Sequence, residues 1–302
     1  MHTQTTAYII NDRSRVASLN LMLAPDLSGI VALKTEDTAE VMAFLAIRPV
    51  HTVVMSSFIV DNGIESDLNR GKFYGYRNGS SELEGVALIG HSTLVEARSS
   101  DALTALAIVA RNPETPIHLI MSSGNAAQDF WQQMTNGLSQ PRLTCTEALF
   151  DISFPFPVQK TNLELKNADM DLLVQVAEAQ AEVAFIESGV DPMLKDREGF
   201  LKRVARRIEQ KRVFVVTDGE KLVFKADIIA ETDNVIYLEG VYVSEEYRGQ
   251  GIGSECLSAL ALELLNRVEH ICLLSNIDFK NAHKSFAKAG FRNTDQCTTL
   301  FV

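Results

Sequence analysis

The chain has 302 residues, 46% hydrophobic and 22% charged, the composition of a folded globular protein long enough for two domains of about 150 residues each. Asp and Glu outnumber Lys and Arg by 39 to 28, and the formal net charge of −11 repels nucleic-acid phosphates and anionic lipid surfaces, so neither is expected as a partner. The longest apolar runs, such as residues 257–265, are interrupted by Ser258 and Glu263 and fall short of the roughly 20 residues that a membrane span needs.

Residues 1–12 lack a cationic start, an apolar core and a small-residue cleavage site, so a cytoplasmic protein is expected. Residues 73–76, a turn at Asn78-Gly79, and residues 84–90 and 92–96 read as a strand meander, followed by a helix at 102–110, a strand at 117–121 and a helix at 126–134. Asp151-Ile-Ser-Phe-Pro-Phe-Pro-Val158 carries two prolines that bar a helix, and its midpoint position predicts a boundary between domains 1–150 and 151–302.

Beyond it, residues 167–186 space Leu172, Leu173, Val176, Ala177, Ala179 and Val183 as an amphipathic helix. Ser188-Gly-Val-Asp-Pro192 interrupts the chain. A second helix at 196–210 puts Phe200, Val204 and Ile208 on one face and a solvated basic set, Lys202, Arg203, Arg206 and Arg207, around the rest. Strands at 213–217, 222–230 and 235–243, with turns at Asp218-Gly219 and Asp233-Asn234, form an antiparallel meander. Ser244-Glu-Glu-Tyr-Arg-Gly-Gln-Gly-Ile-Gly-Ser254 then leads into a helix at 255–267, a strand at 270–275, a helix at 281–289, Gly290-Phe291 and a final extended piece.

The two halves repeat one order. Asn78-Gly79 falls against Asp218-Gly219 at an offset of 140, and Asn125, Ala126 and Phe130 against Asn281, Ala282 and Phe286 at 156. The gain of 16 residues sits where the second half has a glycine loop and a longer helix, so a tandem repeat is expected in which only the second copy kept the loop.

Glycines between a strand and a helix let backbone amides approach an anion at the positive end of the helix dipole. Gly249, Gly251 and Gly253 have that placement, but no Gly-Lys-Ser/Thr follows, and Ser254 stands where a dinucleotide fingerprint needs Gly. The four cysteines, Cys145, Cys256, Cys272 and Cys297, have no C-x-x-C spacing, and the six histidines form no H-E-x-x-H, so reduced thiols and no metal site are expected, with Cys256 and Cys272 as core filler.

Arg248-Gly-Gln-Gly-Ile-Gly253 resembles the R/Q-x-x-G-x-G/A acyl-CoA signature of the GNAT N-acetyltransferase superfamily. Tyr237-Leu-Glu-Gly-Val-Tyr-Val243 before it, and Asn276, Asn281-Ala282 and Gly290-Phe291 after it, follow the family order from about Asn162 to Val302. Phe73-Tyr-Gly-Tyr76 and Leu83-Glu-Gly-Val-Ala-Leu-Ile-Gly90 are similar to a GNAT subset with a divergent GNAT-like N-terminal domain. The resemblance implies an α/β (α+β) tandem fold, a mixed, mostly antiparallel sheet flanked by helices, with the CoA slot in the C-terminal copy.

By the same resemblance, the amides of Gly249, Gln250, Gly251, Ile252, Gly253 and Ser254 hold the CoA pyrophosphate, and the backbone of Val241, Tyr242 and Val243 pairs with the pantetheine arm. Asn276 and Asn281 line the other side of the slot. Arg248 either orders the loop or closes a salt bridge to Glu245 or Glu246. The implied chemistry is direct attack of an amine on the thioester carbonyl of acetyl-CoA, with a strand amide near Val241 stabilising the oxyanion. An alkylamine of pKa near 10.4 is free base only about once in a thousand molecules at neutral pH, so a base or a selective pocket is needed. Glu239 is the candidate, placed by strand alternation on one face with Val241 and Val243; the alternative is a strand-end carboxylate held by Lys or Arg.

Many family members carry Tyr where this chain has Phe286, so either water or another residue protonates the leaving thiolate or this copy has lost catalysis. The helices preceding the meander point to Glu182, Glu187, Asp191 and Asp196, either as an acidic rim for a cationic primary amine of a small molecule or peptide or as helix caps. A monomer or homodimer fits this reading. A non-catalytic acyl-CoA-binding sensor or scaffold is the competing one, and the first half could serve as a lid or an intramolecular dimer partner.

Overall fold

The computed structural model describes residues 27–155 and 163–302. The expectations drawn from residues 1–12, from Phe156 to Val158 of the proline-rich stretch and from Asn162 lie outside the described residues. The first half contains β1 (Ile30–Ala32), α1 (Thr38–Leu45), α2 (Pro49–Asn62), β2 (Gly71–Arg77), β3 (Leu83–Gly90), β4 (Ser92–Ala97), α3 (Ser100–Val109), β5 (Leu119–Ser123), α4 (Ala126–Thr135) and β6 (Leu143–Ile152). The second contains β7 (Lys166–Asn167), α5 (Leu173–Ser188), α6 (Pro192–Lys195), α7 (Arg197–Glu209), β8 (Val213–Asp218), β9 (Lys221–Glu231), β10 (Val235–Val243), α8 (Ile252–Leu264), β11 (His270–Asn276), α9 (Lys280–Lys288) and β12 (Arg292–Phe301).

All twelve strands form one sheet in the order β1-β2-β3-β4-β5-β12-β6-β11-β10-β9-β8-β7. If each strand of the first half is matched with its counterpart six strands later, this order reads the same from both ends. The halves are therefore two copies of one fold, and each has given its last strand to the other. β12 pairs antiparallel with β5 of the first copy, and β6 pairs antiparallel with β11 of the second. The sheet is mostly antiparallel, with parallel pairs at β4–β5 and β10–β11.

Each face is covered by the copy's own helices. In the second copy α8 and α9 cover one face through Leu257, Leu260, Leu264 and Phe286, while α5 and α7 cover the other through Val176, Phe200, Val204 and Ile208. The apolar spacing of 4 along α7 leaves its arginines outside that core, as the sequence periodicity requires. In the first copy α3 and α4 pack one face around Phe130, and α1 and α2 the other around Phe44 and Ile59. α2 also reaches across the junction, where Val53 meets Leu149, Tyr237, Cys272 and Cys297. All four cysteines are free and buried.

Two details depart from the sequence expectation. The glycine-loop helix begins at Ile252 rather than at 255, because Gly251 adopts φ 89° as its N-cap, so Ile252, Gly253 and Ser254 form the first turn. The alternation along β10 is also broken. Glu239 sits opposite Asp227 and Tyr242 opposite Lys225, so three residues of β10 advance while β9 advances two, around Gly240 at φ 60°. This β-bulge turns Glu239 onto the face of Tyr242 and α5, whereas Val241 and Val243 pack on the α8 side.

Candidate functional site

β10 and β11 run side by side only from Val235 to Leu238, and beyond that point they splay. Among the described residues no other strand fills the splay, so the β11-facing edge of β10 from Glu239 to Val243 lies open there. Two cavities meet there. The larger, about 570 Å³, is lined by Val241, Val243, Gly249, Gly251, Gly253 and Ser254 on one wall and by Asn281, Lys284 and Lys288 on the other. The smaller, about 200 Å³, is lined by Glu182, Glu187, Glu239, Tyr242 and Leu274. Val241, Val243, Arg248, Ala282 and Phe286 belong to both, which makes them one continuous cleft through the sheet.

The glycines shape the larger cavity for specific reasons. A Cβ built on Gly249 would meet nothing within 4 Å, but its φ of 79° and the 89° of Gly251 lie in the left-handed region that side chains disfavour. Gly253 matters for packing, since a Cβ there would stand 3.2 Å from Val243 Cγ2 and push α8 off β10. The amides at the start of α8 are thereby held against the cavity, and Lys284 and Lys288 face them. These lysines escaped the sequence reading because they lie on one face of α9, a placement known only once α8 and α9 are packed side by side.

The remaining expected residues separate. Ile252 and Asn281 line the larger cavity. Gln250 does not, and its Nε2 donates to the Glu246 carbonyl at 2.9 Å, bracing the loop. Asn276 lines neither cavity, because its side chain accepts from the Asp278 amide at 2.9 Å and so caps the turn after β11. Arg248 pairs with Glu182 of α5 at 2.9 Å rather than with Glu245 or Glu246, and its Nε donates to the Val243 carbonyl at 2.8 Å. Tyr242 donates to the same Glu182 at 3.2 Å. Of the acidic set, Glu182 and Glu187 line the cleft, while Asp191 and Asp196 accept from the amides of Met193 and Gly199 as caps of α6 and α7.

Glu187 lines the same end of the cleft as Glu239, and a third carboxylate, Glu147, lines neither cavity but lies near enough for its charge to be felt there. Glu147 comes from β6 of the first copy, opposite Asn276 and hydrogen-bonded to Thr299. Burial raises its pKa to about 7, with the Thr299 bond opposing and the charge of Glu239 adding to the rise. Glu187 is raised for the same reasons, loss of hydration within the cleft mouth and the neighbouring Glu239 and Glu147 charges. Burial also raises Glu239, against the attraction of Arg207 and Lys225, while the Tyr237 hydroxyl donates to it at 3.4 Å. Glu147 has no signal in its local sequence, because the strand exchange alone brings it near Glu239.

Beneath the bulge lies a fully buried ion pair. Lys225 Nζ stands 2.9 Å from Asp227 Oδ1 and donates to the Gln180 side chain at 2.6 Å and to the Gly240 carbonyl at 3.0 Å. Desolvation lowers the Lys225 pKa while Asp227 holds the proton on it. The pair thus anchors the residue that turns Val241 out of the β9 ladder. Phe286 is buried, edge-on to Phe150 with ring centroids 5.3 Å apart, and presents carbon to the cleft where a hydroxyl could have stood.

The corresponding region of the first copy has no such cleft. Ser99 caps α3 directly after β4 by accepting from the Ala102 amide, and Arg98 donates to the Phe44 carbonyl. Between β4 and β5, Arg48 bonds both Glu96 at 3.1 Å and Ser123 at 3.0 Å, leaving a cavity of only about 30 Å³.

Among the described residues no helix is long and apolar enough to cross a membrane, and no group of three His, Cys, Asp or Glu side chains is placed to hold a metal ion. Residues 209–293 match the acetyltransferase (GNAT) domain family. Solved structures share the fold over nearly the whole chain. A GNAT-family acetyltransferase from Colwellia psychrerythraea aligns with a TM-score of 0.56 at 14% identity, over 90% of this chain and 98% of its own. A tandem GNAT protein from the clavulanic acid biosynthesis pathway gives 0.57 at 13%, over 90% and 98%. A GCN5-related N-acetyltransferase from Sphaerobacter thermophilus gives 0.58 at 11%, over 89% and 93%. No curated protein matches the chain in sequence.

Proposed function

We propose that this chain, a tandem member of the GNAT superfamily and an acetyltransferase, moves an acetyl group from acetyl-CoA to a primary amine in the cleft of its second copy. The observation that carries this reading is the open edge of β10 at Val241, with a glycine-walled cavity on one side of the sheet and a carboxylate-lined one on the other. On the proposed division at residue 150, catalysis belongs to 151–302, with Glu147 supplied by the strand that crosses over.

In this reading the CoA pyrophosphate meets the amides from Gly249 to Ser254 and the ammonium groups of Lys284 and Lys288. The pantetheine arm adds along the open strand edge, with Arg248 holding the Val243 carbonyl and the loop together. The thioester carbonyl then lies at the bulge, where the Val241 amide turns away from β9 and is available to the oxyanion. The acceptor enters from the Glu182 and Glu187 side as an ammonium ion. Glu239 removes one proton, the free amine nitrogen bonds to the carbonyl carbon, and the C–S bond breaks with its electrons on sulfur while the surplus proton on the nitrogen passes to water. The hydroxyls of Tyr242 and Tyr237 are already committed to Glu182 and Glu239, and Phe286 has none, so water protonates the departing thiolate, a good leaving group with pKa about 8.5.

Thiol release from acetyl-CoA, measured against a panel of primary amines, tests this. Amine-dependent release is expected. Tight acetyl-CoA binding with no release above the blank for any amine would overturn transfer in favour of a sensor.

A further inference from the structure

A separate cavity of about 260 Å³ opens on the junction of the two copies, between α2 of the first and α7 and β9 of the second. It shares no lining residue with the acyl-transfer cleft. Four arginines, Arg203, Arg206, Arg207 and Arg212, converge on it, and Asp61 is the one carboxylate in its lining among the described residues. In a chain of net charge −11, such a concentration of guanidinium groups is not a product of composition. Their like-charge repulsion costs stability unless something offsets it.

The neighbouring side chains offset it incompletely. Arg212 is satisfied, its two terminal nitrogens bonding Asp61 at 2.8 and 3.0 Å. Arg203 reaches Asp196 only at 3.6 Å. Arg207 Nε is buried with no hydrogen bond, 3.7 Å from an Asp227 already engaged by Lys225. Arg206 is exposed, and its guanidinium makes no hydrogen bond or ion pair among the described residues. A guanidinium presents a planar fork of donors that matches oxyanions, phosphates above all. The floor is different in kind. Phe58, Leu68 and Ile229 supply apolar surface, and Leu68 is 59% exposed.

We propose that this cavity is a binding site for a small phosphate monoester, its phosphate held by Arg203, Arg206 and Arg207 and its apolar or ring moiety laid on Phe58 and Leu68. A dianion supplies the charge that Asp61, the more distant Asp196 and an Asp227 shared with Lys225 leave unmatched, and the volume suits a small molecule rather than a polymer. The strand exchange makes the site, because α2 and α7 belong to different copies and meet only at the shared sheet.

Calorimetric titration of the full chain at low salt with phenyl phosphate tests the proposal, using the wild type and the double variant R203Q/R206Q, whose fold is verified by its thermal unfolding. Saturable binding is expected, tighter than that of inorganic phosphate and weakened at least about tenfold in the variant, roughly the loss of one charge-assisted contact. Absence of saturable binding overturns the proposal. So does an affinity unchanged in the variant, which would put the phosphate elsewhere on the molecule.

Discussion

Glu239 lines the cleft, whereas Glu147 lines neither cavity and acts on Glu239 through its charge, and substitution separates the two. If Glu239 is the base, Glu239→Gln lowers kcat/KM by roughly 10²- to 10⁴-fold near neutral pH while acetyl-CoA affinity holds, since Glu239 lines only the smaller cavity; unaltered turnover would remove it from the mechanism. Burial raises its pKa above the ordinary carboxylate value, so if it is the base, activity falls as the pH drops through that raised value. Glu147 is better read through stability. Its folded pKa of about 7 lies above the ordinary 4.5, so folding takes up a proton between those values. The contribution is fully present below the ordinary value and is lost as pH rises through the folded one. The wild-type Tm is therefore expected to fall between about pH 5 and about pH 8 in part through this group, and Glu147→Gln to shrink that fall. An equal fall in both proteins would contradict the assignment. Glu239 was legible because it stands beside the glycine motif on the same strand; Glu147 was not, because nothing local to β6 says which copy it joins.

At the scale of elements, the strands and helices that frame the cleft were legible from periodicity and turn residues, with the helix after the loop displaced by one turn. The bulge was not read, although its signal was present: an isolated Gly240 within an otherwise β-branched and aromatic strand marks a bulge. Its support is the Lys225–Asp227 pair, invisible in sequence because a buried lysine looks like any other. Lys225→Met leaves buried Asp227 with only Arg207, 3.7 Å away, as a counter-charge and should cost up to about 3–5 kcal/mol of stability in denaturant unfolding. Adding Asp227→Leu should recover much of that loss without recovering activity, because the Gly240 carbonyl still lacks its donor. Full activity in the stable double variant would show that the bulge needs no such anchor.

At the scale of the whole molecule the two copies are inseparable. Without β6, β11 has an open edge, and without β12 so does β5. Residues 27–155 and 163–302, produced separately, should each fail to unfold cooperatively, and co-expressed they should purify as one complex; a monomeric, cooperatively unfolding second half would argue against the exchange. The repeat itself was readable from two offsets, but the exchange was not, since a strand's sequence fixes its faces and leaves its neighbours open. The same asymmetry of the copies gives the most direct test. The first copy closes its loop with Ser99 and plugs its splay with Arg48, while the second keeps both open. Calorimetric titration of the full chain with acetyl-CoA should give one equivalent per chain, abolished by Gly251→Glu, which sets a carboxylate among the pyrophosphate-facing amides, and retained in Glu239→Gln. Two equivalents, or undiminished binding in Gly251→Glu, would contradict the placement of acyl-CoA in the cleft of the second copy.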